Sequence, residues 1–133
     1  MMTKEELESY TQRNYFMHYN HIELCTVSET HSVVKVDLHP ESMNLRGYVH
    51  GGLLCTMADC VAGISARQDG RDYVTQSFHM NYLRNVTGGT IYATADAVKR
   101  GRQLAIFHVT ITDEKENLLA DGVVDMIWVP PHN

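Results

Sequence analysis

The chain has 133 residues, 44% of them apolar and 20% charged, with a formal net charge of −5. That length suits one domain spanning 1–133 with a substantial core, in the composition of an ordinary globular protein. The acidic balance argues against nucleic-acid binding, which leaves a basic footprint.

Met1-Met2-Thr3-Lys4-Glu5-Glu6 has no apolar run, so neither a signal peptide nor a membrane anchor is expected, and the expected location is cytoplasmic. Thr3 and Glu6 fit a capping box, which predicts a short helix over 3–13 with Leu7, Tyr10 and Asn14 on one face, packed on a sheet. Ile22–Val27 and Val33–Leu38 read as strands: Val34, Val36 and Leu38 alternate with Val33, Lys35 and Asp37. Ser28-Glu29-Thr30 makes the turn of this predicted hairpin. A loop from His39 to Tyr48 then delivers Asn44 just ahead of His50-Gly51-Gly52.

The next stretch organises the chain. Leu53, Leu54, Met57, Ala58, Val61, Ala62 and Ile64 leave little room for a solvated face, so this predicts a buried helix. Asp59, Thr56 and Gly63 interrupt it too much for a membrane span. Asp59 has Cys55, Thr56, Ala62 and Gly63 as its helical neighbours, all small, so another backbone or a ligand can approach the acid. It is either an acid satisfied by local hydroxyls or a second subunit, or a reactive group. Gly51 and Gly52 likewise form either a plain entry turn or a bare helix N-terminus that offers N–H groups to a developing oxyanion. Eight residues of helix separate Gly51 from Asp59, about 12 Å. One reacting centre cannot touch both in one chain, whereas two antiparallel copies could bring them together.

After Gly70 come four strand-like runs: Tyr73–Leu83, Thr90–Lys99, Gln103–Thr112 and Leu118–Val129. Gly88-Gly89, Arg100-Gly101 and Glu116-Asn117 read as hairpin turns, and Pro130 and Pro131 stop the last strand. Ile91, Ala93, Ala95 and Ala97 give a small-residue face suited to a helix; Ala105, Phe107, Val109 and Ile111 give a larger one. Helix, two strands, buried helix and four strands predict an α+β fold, a six-stranded antiparallel sheet wrapped around a long central helix.

Other signals are weaker. The eight histidines lack metal-ligand spacing, so no metal is expected. Cys25, Cys55 and Cys60 form neither an even framework nor a C-x-x-C pair and read as reduced thiols. Lys99, Arg100 and Arg102 cluster near one hairpin and Arg84 ends a strand; they are either solvated turn charges or anion contacts. Thr75, Ser77, His79 and Asn81 share one parity as a polar row.

Asn44, Gly47, His50, Gly51, Gly52 and Asp59 stand at the spacing of the hotdog-fold thioesterases, and more narrowly the chain resembles the PaaI-like acyl-CoA thioesterases of the phenylacetate pathway. The likeness extends to Thr75, Tyr82-Leu83, Gly101-Arg102 and Leu119-Ala120-Asp121-Gly122, over about residues 20–129. Asn85 departs from it, because many relatives carry proline there. The resemblance implies hydrolysis of an acyl-CoA thioester at a homodimer interface, in a dimer or a dimer of dimers, with CoA as part of the substrate and no separate cofactor. It gives Asp59 the role of general base or nucleophile and the Gly51 N–H that of oxyanion donor. Thr75 would orient the water, while Asn44 and His50 would position the carbonyl or the glycine turn. Gly52, Gly101, Arg102 and Arg84 are the expected substrate contacts. The alternatives are a non-catalytic acyl-CoA-binding hotdog protein and a hydratase or dehydratase, whose own local motif is missing.

Overall fold

In the computed structural model, which describes residues 3–130, Thr3 Oγ1 accepts the Glu6 N–H at 3.1 Å and opens α1 (Lys4–Arg13). Pro131 therefore lies outside the described residues. The predicted face of α1 does not reach Asn14. Asn14 has ψ 86°, ends α1, and uses its Oδ1 to accept the Met17 N–H of a second short helix, α2 (Tyr15–Tyr19). An asparagine side chain competes with the helix for backbone donors and so breaks it. Met17 is buried and holds α2 on the core.

β1 (Ile22–Thr26) and β2 (His31–Asp37) form the expected hairpin, with Ser28 Oγ accepting the N–H groups of Thr30 and His31 in its turn. Val34 and Val36 face the core, as their alternation requires. The long helix α3 (Gly51–Ala66) buries Leu54, Met57, Val61 and Ala62 and passes into a 3-10 turn, Arg67–Asp69. Then come β3 (Asp72–Tyr82), β4 (Thr90–Arg100), β5 (Leu104–Thr112) and β6 (Leu118–Val129). Ala93 and Ala95 on β4 are fully buried and let α3 lie close to the sheet; Phe107, Val109 and Ile111 on β5 fill the space beside it.

All six strands are antiparallel, in the order β1-β2-β4-β5-β6-β3. That corrects one expectation. Gly88-Gly89 is not a hairpin turn, because β3 pairs with β6 at one edge while β4 lies between β2 and β5. The link over 83–89 instead crosses beside the start of α3, where Val49 N–H donates to Val86 O at 3.2 Å. β3 is thus an edge strand of 11 residues, and its exposed side chains include Val74, Phe78 and Tyr82.

β3 also carries a bulge. Thr75 pairs with Met126 but Ser77 pairs with Asp125, leaving Gln76 extra. A bulge shifts side-chain parity and re-aims what precedes it. The predicted polar row is therefore split: Thr75 points to the core side beside Met126, while Ser77, His79 and Asn81 point away, opposite Asp125, Val123 and Asp121. Gly122 on β6 sits so close to β3 that a Cβ there would lie 2.0 Å from the His79 carbonyl oxygen. Only glycine fits that approach.

Candidate active site

Asn44 builds the loop that leads into α3. Its Oδ1 accepts the N–H groups of Arg46 (2.9 Å) and Tyr48 (3.2 Å), and its carbonyl accepts the Gly47 N–H at 3.0 Å. The turn places Gly47 at φ +81°, the left-handed region that glycine reaches without strain. Leu45 at the tip is fully exposed. His50 is the N-cap of α3, and its Nδ1 accepts the Gly52 N–H at 2.9 Å. Its carbonyl accepts from Leu53 at 3.0 Å and Leu54 at 3.4 Å. Of the first-turn donors, Gly51 N–H alone has no partner among the described residues. A helix N-terminus with one free amide is a donor set for an anion or an oxyanion.

The hydroxyl of Tyr82, at the end of β3, braces this turn from the other side. It donates to Gly51 O at 3.0 Å and lies 2.6 Å from Cys55 Sγ. Burial, then the Cys55 thiol, pushes the Tyr82 phenol up to about 12, so it stays a protonated donor. Sequence reasoning placed Tyr82 in the resemblance without giving it this contact.

Two helical turns on, Asp59 sits half-buried on the least covered stripe of α3, with Gly52, Thr56 and Cys60. Thr75 Oγ1, brought to the core side by the bulge, donates to Asp59 Oδ1. Oδ2 has no partner among the described residues. Beside it, the Cys60 thiol is pushed up to about 12, first by burial and then by the charge of Asp59, and is inert as a nucleophile. Thr75 lies on the edge strand β3, so its bond to Asp59 joins the helix to the margin of the sheet.

Gly101 and Arg102 form the β4–β5 turn, which a network the sequence did not signal ties to the end of α3. Arg71 Nη1 donates to Arg102 O at 2.5 Å and Nη2 to Gly101 O at 3.4 Å, while Nε and Nη2 bind Asp69 Oδ2 at 3.1 and 3.0 Å. Tyr73 Oη and Arg100 Nη2 donate to the same oxygen at 2.6 and 2.8 Å. Desolvation pushes the Asp69 carboxyl up, but these donors and the Arg71 backbone N–H outweigh it and hold it well below the usual carboxylate range. The only cue was the spacing of Asp69, Arg71 and Tyr73 at alternate positions entering a strand. Lys99 and Arg102 border a surface pocket of about 530 Å³ and make no ion pair among the described residues. Arg84 follows the far end of β3, so one chain does not bring it to Arg102.

A larger concavity, about 850 Å³, lies between α1 and the β1–β2 hairpin, lined by Lys4, His18, Leu24 and Lys35 among others, and none of the candidate site residues borders it. A site divided between two copies is not a closed pocket in one, so size alone does not locate it. No helix among the described residues is long and apolar enough to cross a membrane.

Residues 46–120, more than half of the chain and spanning the glycines, Asp59 and Thr75, match the family model described as the thioesterase superfamily. The chain belongs to that superfamily. A Mycobacterium tuberculosis protein with the provisional name of esterase is 31% identical over 96 residues, covering 68% of this chain and 69% of its own. Its solved structure has a TM-score of 0.84 at 25% identity, covering 90% of this thioesterase and 99% of that chain. The 1,4-dihydroxy-2-naphthoyl-CoA hydrolase of Listeria monocytogenes is 30% identical over 101 residues, covering 74% of this chain and 82% of its own. The acyl-coenzyme A thioesterase PaaI of Escherichia coli is 24% identical over 100 residues, covering 74% and 71%. Its structure shares the fold at a TM-score of 0.86 and 18% identity, covering 92% of this chain and 90% of that one. This thioesterase is a hotdog-fold enzyme of the PaaI-like group, a hydrolase of thioesters.

Proposed function

We propose that two copies pair along β3 and α3 and hydrolyse acyl-CoA thioesters, each site taking Gly51 from one copy and Asp59 from the other. The observation that carries this reading is the pair of unfinished groups on α3. A free Gly51 N–H and a free Asp59 Oδ2 sit eight residues, about 12 Å, apart on one rigid helix. Relatives named for hydrolysis of CoA esters support the substrate class.

In this scheme the thioester carbonyl accepts a hydrogen bond from Gly51 N–H, reinforced by the positive end of α3. Asp59 Oδ2 takes a proton from a water that attacks the carbonyl carbon. The tetrahedral intermediate collapses by breaking the C–S bond, and the proton returns to the departing CoA thiolate. Thr75 fixes the rotamer of Asp59 by occupying Oδ1, so it orients the acid as well as the water beside it. Asn44 and His50 hold the glycine turn, since Asn44 Oδ1 and His50 Nδ1 accept its backbone N–H groups. A thiolate leaves readily, so one base and one oxyanion donor suffice without a nucleophilic triad. In this reading Lys99 and Arg102, with Arg84 from the other copy, meet the CoA phosphates. The Asp69–Arg71 network holds the turn that carries Arg102.

Mixing two inactive variants tests the shared site. Gly51→Pro deletes the N–H and adds a ring whose Cβ would meet Tyr82 at 3.5 Å, an ordinary contact; proline suits the first helical position, and His50 at φ −65° and ψ 129° is already in a conformation that precedes proline. Asp59→Asn removes the base. Unfolding and refolding the two together gives mixed dimers with one intact site each, which restores roughly a quarter of wild-type turnover for random pairing. If both groups acted within one chain, the mixture would stay inactive.

A further inference from the structure

Asn85 lies in the crossing link between β3 and β4, where the resemblance noted above departs from the proline that many relatives carry, and no role follows for it from the reaction scheme. Both polar atoms of its side chain are engaged. Oδ1 accepts the N–H groups of Val49 (3.2 Å) and Val86 (2.8 Å), and Nδ2 donates to Val49 O at 3.1 Å. Val86 O accepts the same Val49 N–H at 3.2 Å. One amide therefore reads both backbone groups of Val49, as a paired strand would, in a segment where the chain makes only an isolated bridge between Met43 and Val49. Val49 is fully buried, and the next two residues are the His50 cap and Gly51.

The brace thus fixes the peptide plane two residues before the free N–H, from a different element of the fold. His50 fixes the plane after it through Gly52, and Tyr82 holds Gly51 O. A proline at 85 has no side-chain donor or acceptor and leaves this job to the backbone alone. We propose that Asn85 is a positioning residue that sets the direction of the Gly51 N–H, an inference that rests on the oxyanion role given to that group. A donor aimed at a developing charge must be placed before the reaction, and a small misalignment lowers the rate without weakening substrate binding.

The experiment compares wild type, Asn85→Ala and Asn85→Asp, measuring kcat and KM on one acyl-CoA, binding of a non-hydrolysable CoA thioether, and hydrogen exchange at the Val49 amide. Asn85→Ala is expected to lower kcat about tenfold while KM and thioether affinity stay within about twofold. Asn85→Asp, which keeps the two accepting contacts and loses the donated one, recovers part of kcat. Exchange at Val49 accelerates in Asn85→Ala. Unchanged kcat, a loss of thioether affinity that matches the loss of rate, or unchanged Val49 exchange would each overturn the proposal. Exchange is read without turnover, so a wild type that releases no thiol would remove the thioesterase reading by a separate observation.

Discussion

The two ends of α3 are finished in opposite ways. At the C-terminal end, Asp69 gathers Arg71, Arg100 and Tyr73 onto one oxygen, and Arg71 passes on to the Gly101 and Arg102 carbonyls. The guanidinium groups of Arg71 and Arg100 and the Tyr73 hydroxyl there all find acceptors within the same chain. At the N-terminal end, His50, Tyr82 and Asn85 hold the turn from three directions, yet the Gly51 N–H they surround is left open. The contrast separates a place where the chain satisfies itself from a place held rigid for something it does not contain. Rigidity is common to both ends; only completeness differs.

The largest expected effect falls on the open side. Asp59→Asn should lower kcat by about 10²–10⁴-fold while thermal unfolding stays close to wild type, because Thr75 can still donate to the amide oxygen. A folded variant with normal turnover would remove the acid from the chemistry. Next comes the edge strand: Phe78→Asp puts a charge on the exposed flank of β3 and should yield a monomer in sedimentation, with activity down at least about tenfold at concentrations where wild type is paired. A fully active monomer would end the shared-site scheme.

The closed end should respond in stability and not primarily in rate. Asp69→Asn loses charge-assisted bonds to Arg71 and Arg100 and should cost about 2 kcal/mol in urea unfolding at pH 7. The folded-state carboxyl is held below its ordinary value, so it contributes stability at and above the unfolded value near 3.9, and that contribution fades as pH falls through the lower folded value. The gap between wild type and variant should therefore be constant from pH 7 to 5 and narrow below about pH 4. A gap that widened on acidification would reverse the assignment. The smallest effect is Thr75→Ala, expected to reduce kcat by about tenfold or less, since it frees the Asp59 rotamer without removing the base. A loss equal to that of Asp59→Asn would make Thr75 a participant and not an orienting group.

Much of this was legible in the residues. The apolar run from Leu53 to Ile64, the glycine pair and the lone Asp59 already stated a buried helix with a bare start, and the alanines at 93 and 95 stated where it would lie. Local composition carries such signals because helix burial and strand alternation are periodic. The misses are tertiary. Nothing in Val74-Thr75-Gln76-Ser77 spells out an extra residue, because a bulge is decided by what β6 offers opposite, including the missing side chain of Gly122. Likewise, Gly88-Gly89 resembles a hairpin turn in any window that does not include the far edge of the sheet. The Asp69–Arg71 network is equally invisible in a local window, since its partners at 100–102 lie about thirty residues away in sequence.

The displaced residue at Gln76 divides β3 into two lengths of different side-chain phase. Upstream, Tyr73 and Thr75 are tied to the helix and its carboxylate; downstream, Phe78, Met80 and Tyr82 follow a phase of their own. On the shared-site reading proposed above, Phe78 and Met80 can be exchanged to reshape the acyl cavity while the Asp59–Thr75 pair stays in place. A single strand can thereby host evolutionary drift in selectivity and constancy in chemistry, only a few residues apart.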